Sequence, residues 1–342
     1  MVQLLSKELS QRNHKISICI LGGITPGRYL LEGITVHRLP PSPNRFLRFF
    51  KHMLDVRRII RREKPDCVVS FLFGVSSFVN LSMLGIRIPL IVSERSDPNF
   101  LKPSGLLNVL TEYAYHRAKR IIVLFDCFRS ISGAKYLDKV IVIPNPVPKI
   151  ENLNHNRGNY EDGVHFVTIA NDTPPKGLDL LIAAFYQVNK CYPKATLRIY
   201  GFQKDSRLKQ QIVSLELDNS VFLMGYTMDI KEPLSWADVY VMPSRHEGFP
   251  NSLCEAMSAG KCCIATVCHE GIKELIVDGD NGLLAETADV QSLANKMLYI
   301  INHPEKISLI GKRAVSISSR FSVNTIVDMW EIEIQRCCKN IS

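Results

Sequence analysis

Two carboxylates, Glu247 and Glu255, bracket the stretch GFPNSLC, and an apolar run, VYVM, precedes them. Read as local structure, this is a strand, a Gly-Phe-Pro turn and a helix. Ser252 at the N-cap and Glu255 at N3 would form a capping box, with Gly260 as the stop. That reading accounts for Ser252, Glu255 and Gly260 without a ligand. Read as chemistry, the same geometry offers unpaired amides and the positive end of a helix dipole to a diphosphate. Gly248 removes a side chain where a ligand must come close. Glu255, in the first helical turn, could accept two ribose hydroxyls, and Glu247 could hold sugar hydroxyls or balance charge at a reacting carbon. A diphosphate also needs a cation. In ANDTPPKGLDLLIAAF, Lys176 and Gly177 open an amphipathic helix after an apolar strand. Lys176 is either a solvated lysine in a turn or a cation that reaches the same site.

The elements that must position these residues alternate along the whole chain. Apolar runs read as strands at 16–21, 34–39, 66–72, 88–93, 120–124 and 139–143, then at 164–170, 196–201, 220–224, 238–242, 261–266 and 282–285. Helical patterns lie between and after them, at 2–12, 45–63, 104–118, 177–190, 206–215, 252–259, 288–302, 304–319 and 322–337. Such alternation predicts α/β architecture with parallel, doubly wound sheets. A chain of 342 residues has room for two such domains. The stretch 144–163, rich in Pro, Asn and Gly, reads as the linker between them. Ligands of these sheets sit beyond the carboxyl ends of the strands, which is where the Glu247–Glu255 stretch falls.

Bulk properties narrow the function classes. The ten cysteines are scattered, with no C-x-x-C spacing, which suits free thiols in a reducing compartment. The N-terminal MVQLLSKELSQRN is too charged for a signal peptide. Residues 67–86 carry no charge and are long enough to span a bilayer, but serines, an asparagine and a glycine interrupt them. They divide better into a buried strand, helix and strand. Residues 1–150 hold 23 Lys and Arg against 10 Asp and Glu, and the remainder 19 against 23, so an anionic partner is expected for the first half. The basic helix RFLRFFKHMLDVRRIIRREK, 45–64, either packs on the sheet with a solvated basic face or meets anionic lipid headgroups. No nucleic-acid motif accompanies its charge.

The combination of motifs resembles a known family. PSRHEGFPNSLCEAMSAGKCCIAT, followed by GIKELIVDGDNGLLAE, looks like the E-x7-E signature region of retaining glycosyltransferases of family 4, with the GT-B fold. PPKGLDLLIAAF matches that family's lysine–glycine segment, VIPNPV (142–147) its element ending the first domain, and FSVNTIVDMWEIEIQ (321–335) its last helix. The resemblance implies two Rossmann-like doubly wound domains facing across a cleft. It places an acceptor-binding domain at 1–147, a linker at 148–163, a nucleotide-sugar domain at 164–320 and a returning C-terminal helix at 321–342. By the same resemblance, Glu255 binds the donor ribose and Glu247 contacts the donor sugar near its anomeric carbon. Lys176 binds the diphosphate, together with amides around Phe249, Asn251 and Ser252, and Asn171, Gly248 and Pro250 complete the donor-binding residues. No metal or other cofactor is implied, and the DGD at 278–280 falls in a turn.

Two features depart from the pattern. The family carries a second diphosphate-binding arginine where this chain has Asn171, and Arg245 is a weak candidate to replace it. The first strand and its glycine-rich loop are not found, since 1–13 read as the following helix and 16–21 as the second strand. On the acceptor side, Glu94 and Arg95 end the strand in PLIVSERSDP and are either functional side chains or a loop ion pair. The resemblance implies sugar transfer from a UDP- or GDP-linked donor to a polyprenyl-diphosphate-linked or lipopolysaccharide-core acceptor in bacterial surface polysaccharide synthesis. The expected location is cytoplasmic, peripheral on the inner face of the plasma membrane. Two alternatives stay open. One is a degenerate paralogue acting as a non-catalytic partner subunit. The other is a glycoside hydrolase using Glu247 and Glu255 as paired carboxylates.

Overall fold

The computed structural model describes residues 1–21, 33–39, 45–97, 100, 105–151, 153, 160–201 and 207–339. The chain divides into two compact units, one formed by Met1–Pro146 with Val323–Ser342 and the other by Val147–Ser322. Of the stretch expected as a linker, 152 and 154–159 lie outside the described residues, as do 22 and 23 of the ILGG segment.

In the first unit the order is α1 (Val2–Gln11), β1 (Ser17–Leu21), β2 (Thr35–Leu39), α2 (Arg45–Glu63), β3 (Val68–Phe71), α3 (Phe73–Ser82), β4 (Leu90–Ser93), α4 (Gly105–Arg117), β5 (Arg120–Val123) and β6 (Val140–Val142). All strand pairs are parallel. β1 pairs with β2, and β3-β4-β5-β6 form a second sheet. Among the described residues no strand pairs with both β1 and β3. β4 is buried along its whole length, as expected for a strand covered on both faces. The uncharged run 67–86 resolves into β3 and α3, and no helix among the described residues is long and apolar enough to cross a membrane.

The second unit runs β7 (His165–Ile169), α5 (Leu178–Cys191), β8 (Thr196–Tyr200), α6 (Arg207–Ser214), β9 (Val221–Gly225), α7 (Lys231–Trp236), β10 (Val239–Met242), α8 (Asn251–Ser258), β11 (Cys262–Thr266), α9 (Gly271–Leu275), β12 (Leu283–Ala285), α10 (Val290–Asn302), α11 (Glu305–Ala314) and α12 (Ile317–Arg320). Its six-stranded parallel sheet has the order β12-β11-β10-β7-β8-β9. From β7 the chain proceeds outward through β8 to β9, and from β10 it proceeds the other way through β11 to β12. The order therefore reverses between β7 and β10, and the crevice at their carboxyl ends is the topological switch point. The core explains the order of elements. α5 buries Leu178, Leu181, Ile182, Phe185 and Val188, a helical stripe that shares one core with the fully buried β10 and sets Phe185 edge-on to Phe166 of β7.

Three local expectations need correction. The helix expected over 304–319 breaks into α11 and α12, because the Ser316 and Ser318 hydroxyls donate back to the carbonyls of Arg313 and Val315 and compete with the helical ladder. α7 and α9 were not foreseen, being too short to show a periodic pattern. The capping box at Ser252 does not form. α8 starts one residue earlier, Pro250 is its N-cap, and no side chain caps it. Its stop is as expected. Gly260 has φ 72°, and the N–H groups of Gly260 and Lys261 donate to Met257 and Ala256, a Schellman ending.

The last helix, α13 (Val323–Lys339), belongs to the first unit. Its buried stripe is Ile326, Val327, Trp330, Glu333 and Cys337. Trp330 packs on Phe71 of β3, with ring centroids 5.7 Å apart. The buried Glu333 is paired with Arg120 at 2.9 Å and Arg336 at 2.6 Å, so its charge is compensated. At the other end of the unit, Arg12 donates to Glu331 at 2.8 Å, which ties α1 to α13. Trp330→Ala should therefore destabilise the first unit by about 3–5 kcal/mol. Urea denaturation followed by tryptophan-independent circular dichroism checks this, and a loss below about 1 kcal/mol would contradict the anchoring role.

Candidate active site

Two loops meet at the switch point. After β7 the chain makes a short 3-10 turn, Pro174–Lys176, and enters α5 through Gly177. After β10 it runs through Pro243 to Pro250 and enters α8. The Pro175 carbonyl accepts from the N–H groups of Arg245 at 2.7 Å and His246 at 3.2 Å, which joins the loops backbone to backbone. Gly177 makes the approach possible. It has φ 65°, and a Cβ there would lie 2.1 Å from the Pro243 carbonyl oxygen.

This junction brings Lys176 to Glu247. Lys176 Nζ donates to Glu247 Oε1 at 2.7 Å, and the Ser244 hydroxyl donates to the same oxygen at 2.7 Å. The Glu247 side chain is 9% exposed and that of Lys176 31%, so the pair is shielded yet open on the lysine side. Ser244 is in turn fixed from β11, since Thr266 Oγ1 donates to its carbonyl at 2.5 Å. Ser244 and Thr266 were not singled out in the sequence. The only available signal was a hydroxyl residue three positions before the carboxylate.

Glu255 lies in the second turn of α8, half-buried, and burial raises its pKa above the usual carboxylate value. Ser252, freed from capping, accepts a hydrogen bond at 2.8 Å from the buried Tyr240 hydroxyl of β10. That contact holds the first turn of α8 against the sheet, and the Asn251 N–H donates to the Phe249 carbonyl at 2.9 Å. Phe249 is buried edge-on against Phe321, Pro250 is buried, Gly248 is half-buried and Asn251 is exposed. Asn171 stands exposed at the end of β7, where its carbonyl accepts from Thr173. Arg245 makes a two-pronged ion pair with Asp179, at 2.8 and 2.7 Å, and donates to the Pro174 carbonyl at 2.9 Å. Its guanidinium is thus committed to the start of α5 and does not take the place of a cation at Asn171. In the DGD turn, Asp278 pairs with Lys296 and Asp280 with Arg313.

Glu94 and Arg95 lie in the first unit, at the carboxyl end of β4. They form no ion pair with each other. Glu94 is 3% exposed and accepts from the Tyr115 hydroxyl at 3.2 Å. Arg95 turns away, donating to the Ile143 carbonyl at 3.2 Å and Asn145 Oδ1 at 3.1 Å, with its guanidinium 5.3 Å from the Trp330 ring centre and 5.7 Å from that of Phe71. Burial raises Glu94 from 4.5 to about 7, against the lowering effects of Tyr115 and Arg95.

Two expectations follow from this geometry. Gly177→Ala should cost at least about 2 kcal/mol in chemical denaturation, because the carbonyl it meets is backbone and the φ is strained. An unchanged midpoint would mean that the loops are not locked as described. The raised pKa of Glu94 means that the folded state binds its proton more tightly than the unfolded state. Its contribution to stability is therefore lost as pH rises from 4.5 toward about 7. Glu94→Gln should flatten that decline and add on the order of a few kcal/mol at alkaline pH. Denaturation at several pH values reads both, and parallel pH profiles would count against a buried neutral Glu94.

Comparison with known proteins agrees with this architecture. The family model described as glycosyl transferases group 1 matches residues 149–316, and the glycosyl transferase 4-like domain matches residues 1–146. An uncharacterised glycosyltransferase of Haemophilus influenzae is 22% identical over 96% of this chain and 93% of its own. The Campylobacter jejuni enzyme named GalNAc-α-(1→4)-GalNAc-α-(1→3)-diNAcBac-PP-undecaprenol α-1,4-N-acetyl-D-galactosaminyltransferase is 22% identical over 82% of this chain and 77% of its own. The crystal structure of Anabaena HepE in complex with UDP-glucose superposes with a TM-score of 0.78 at 22% identity, covering 99% of this chain and 95% of that one. With two Rossmann-like units, a switch-point lysine and glutamate, and family models over both halves, the chain belongs to the group 1 glycosyl transferases of family 4 and has the GT-B fold.

Proposed function

We propose that this glycosyltransferase moves a hexosyl or N-acetylhexosaminyl group, with retention, from a UDP- or GDP-linked donor to a lipid-linked saccharide in bacterial surface polysaccharide or lipopolysaccharide synthesis. The observation that carries this reading is the Lys176–Glu247 pair beside the α8 start, at the switch point of the second unit. In this reading the second unit binds the donor and the first unit the acceptor. Lys176 and the amides around Phe249, Asn251 and Ser252 hold the diphosphate. Glu255 takes the ribose hydroxyls, and Glu247 faces the sugar near its anomeric carbon. Without a donor, Glu247 neutralises Lys176. A diphosphate draws the lysine to itself, and Ser244 keeps Glu247 in place. Charge developing on the departing diphosphate then meets a cation and fixed dipoles, the largest electrostatic task of the reaction. The leaving oxygen takes the acceptor proton on the same face, which gives retention. Asn171 contributes at most a neutral hydrogen bond to the diphosphate. Glu94, poised near neutrality, and Arg95 serve the acceptor side.

The relatives support the substrate classes. The UDP-glucose complex of the Anabaena protein supports a nucleotide-sugar donor, and the diphospho-undecaprenol acceptor named for the Campylobacter enzyme supports a polyprenyl-diphosphate-linked one. Lys51, Arg58, Arg61, Arg62 and Lys64 are exposed along α2 and its end, which favours peripheral contact with anionic lipid at the cytoplasmic face.

Glu255→Ala should lower transfer of radiolabelled sugar to a lipid-linked acceptor by roughly a hundredfold or more, since two hydrogen bonds to a carboxylate are lost. Thermal shift with UDP- and GDP-sugars identifies the donor. A donor that binds while no lipid-linked acceptor receives sugar would favour the non-catalytic partner reading.

A further inference from the structure

Three side chains of the first unit carry buried hydrogen-bond donors that no acceptor meets. Trp330 of α13 and Ser93 at the end of β4 are fully buried. Trp330 Nε1 and Ser93 Oγ have no hydrogen-bond partner among the described residues. The same holds for Nε and Nη2 of Arg95, both shut off from solvent. That guanidinium uses only Nη1, on the Ile143 carbonyl and Asn145 Oδ1. Folded interiors rarely leave such groups unpaired, because each forfeits its hydration for nothing.

The fold gathers these groups in one place. Ser93 and Phe71 are register partners in the β3–β4 pair, so their side chains leave the same face of the sheet. Arg95 lies two residues beyond Ser93. Its guanidinium carbon stands 5.7 Å from the Phe71 ring centre and 5.3 Å from that of Trp330. The two rings are themselves 5.7 Å apart. Arg95, Phe71 and Trp330 therefore surround one spot on the α13 side of the sheet, with Ser93 beside Phe71. Guanidinium and indole cannot satisfy each other, since both only donate. Nε, Nη2 and Nε1 carry four N–H bonds between them, against one oxygen, Ser93 Oγ, that can accept. A water molecule takes up two of these N–H bonds and brings two protons of its own to place. An anion takes up several and brings none.

Charge points the same way. The neighbouring carboxylate, Glu94, is turned to the Tyr115 hydroxyl, and the aromatic faces attract the guanidinium without offering it a lone pair. We propose that Ser93, Arg95 and Trp330 hold a small inorganic monoanion of halide size between the end of β4 and α13. One arginine matches one negative charge, and two aromatic walls suit a compact ion that needs no acceptor of its own. The ion ties the strand end to the helix, so its binding stabilises the first unit. It fixes Arg95 in place at the acceptor edge and is independent of the transfer reaction.

The test exchanges gluconate for chloride at constant ionic strength, using the full chain. The melting temperature of the wild type, read by circular dichroism, should rise by about 2–4 °C and level off as chloride increases. Arg95→Met, which keeps the apolar stem, should remove the rise. Trp330→Phe, which keeps a ring and loses the N–H, should move half-saturation to several-fold higher chloride. Fluorescence supplies a readout that does not depend on stability. The chain has two tryptophans, and Trp236→Phe leaves Trp330 alone. In that variant bromide should quench the emission of the fully buried Trp330 saturably, and adding Arg95→Met should leave only weak, linear quenching. If Arg95→Met does not fold, Trp330→Phe and the bromide titration of Trp236→Phe decide the matter by themselves. A linear or absent response to both halides overturns the proposal and leaves water as the occupant. So does a chloride effect that both variants retain, or saturation by inorganic phosphate and not by chloride.

Discussion

The second unit is organised around the meeting of two loops at the point where its strand order reverses. The Pro175 carbonyl accepts from two consecutive amides of the other loop, and Gly177 lets the backbones approach to a distance that no side chain tolerates. Every functional feature of the unit depends on that approach. It places a lysine from one strand end on a glutamate from another. It also sets the start of α8 beside them, and it engages Arg245 in bracing α5 rather than in binding. The ion pair is partly shielded, so its partners interact more strongly than on an open surface. Lys176 and Glu247 thus balance each other's charge, and in the proposed function a diphosphate takes the lysine from the glutamate.

The first unit has a different character. Its buried charged groups are compensated individually: Glu333 by two arginines, Glu94 by neutralisation, Arg95 by carbonyl oxygens and aromatic faces. Apolar residues are left exposed in both units, Leu106 and Val109 in the first and Tyr226 and Met228 in the second. Part of the positive charge that sets the first half of the sequence apart lies on exposed residues of α2, Lys51, Arg58, Arg61 and Arg62.

Much of this architecture was legible in the sequence because buried parallel strands are uninterrupted apolar runs, and the runs at 238–242 and 261–266 fall within a residue of β10 and β11. Helices with a buried stripe, such as α5 and α13, were equally plain. Cap identity was not legible. Ser252 and Glu255 have the spacing of a capping box, but Tyr240, twelve residues upstream on a neighbouring strand, takes the serine hydroxyl instead. A local pattern cannot register a tertiary competitor of that kind. The role of Ser244 was hidden for the same reason, since its position is fixed by Thr266 across the sheet. Composition alone could not choose between the two readings of the basic helix at 45–64, and Phe49 and Phe50 of α2 stand partly exposed.

The chain leaves the first unit after Pro146 and re-enters it at Val323, so the second unit is an insertion within the first. During synthesis the second unit has its full complement of strands and helices before α13 exists, and it can fold as an independent body. The first unit must wait: Phe71 and Arg95 lack the Trp330 ring, and Arg120 lacks the Glu333 carboxylate, until α13 has left the ribosome. The most distant contacts in the sequence are therefore the last to close. For this protein the interval before α13 emerges is the period of greatest exposure to aggregation and to chaperones.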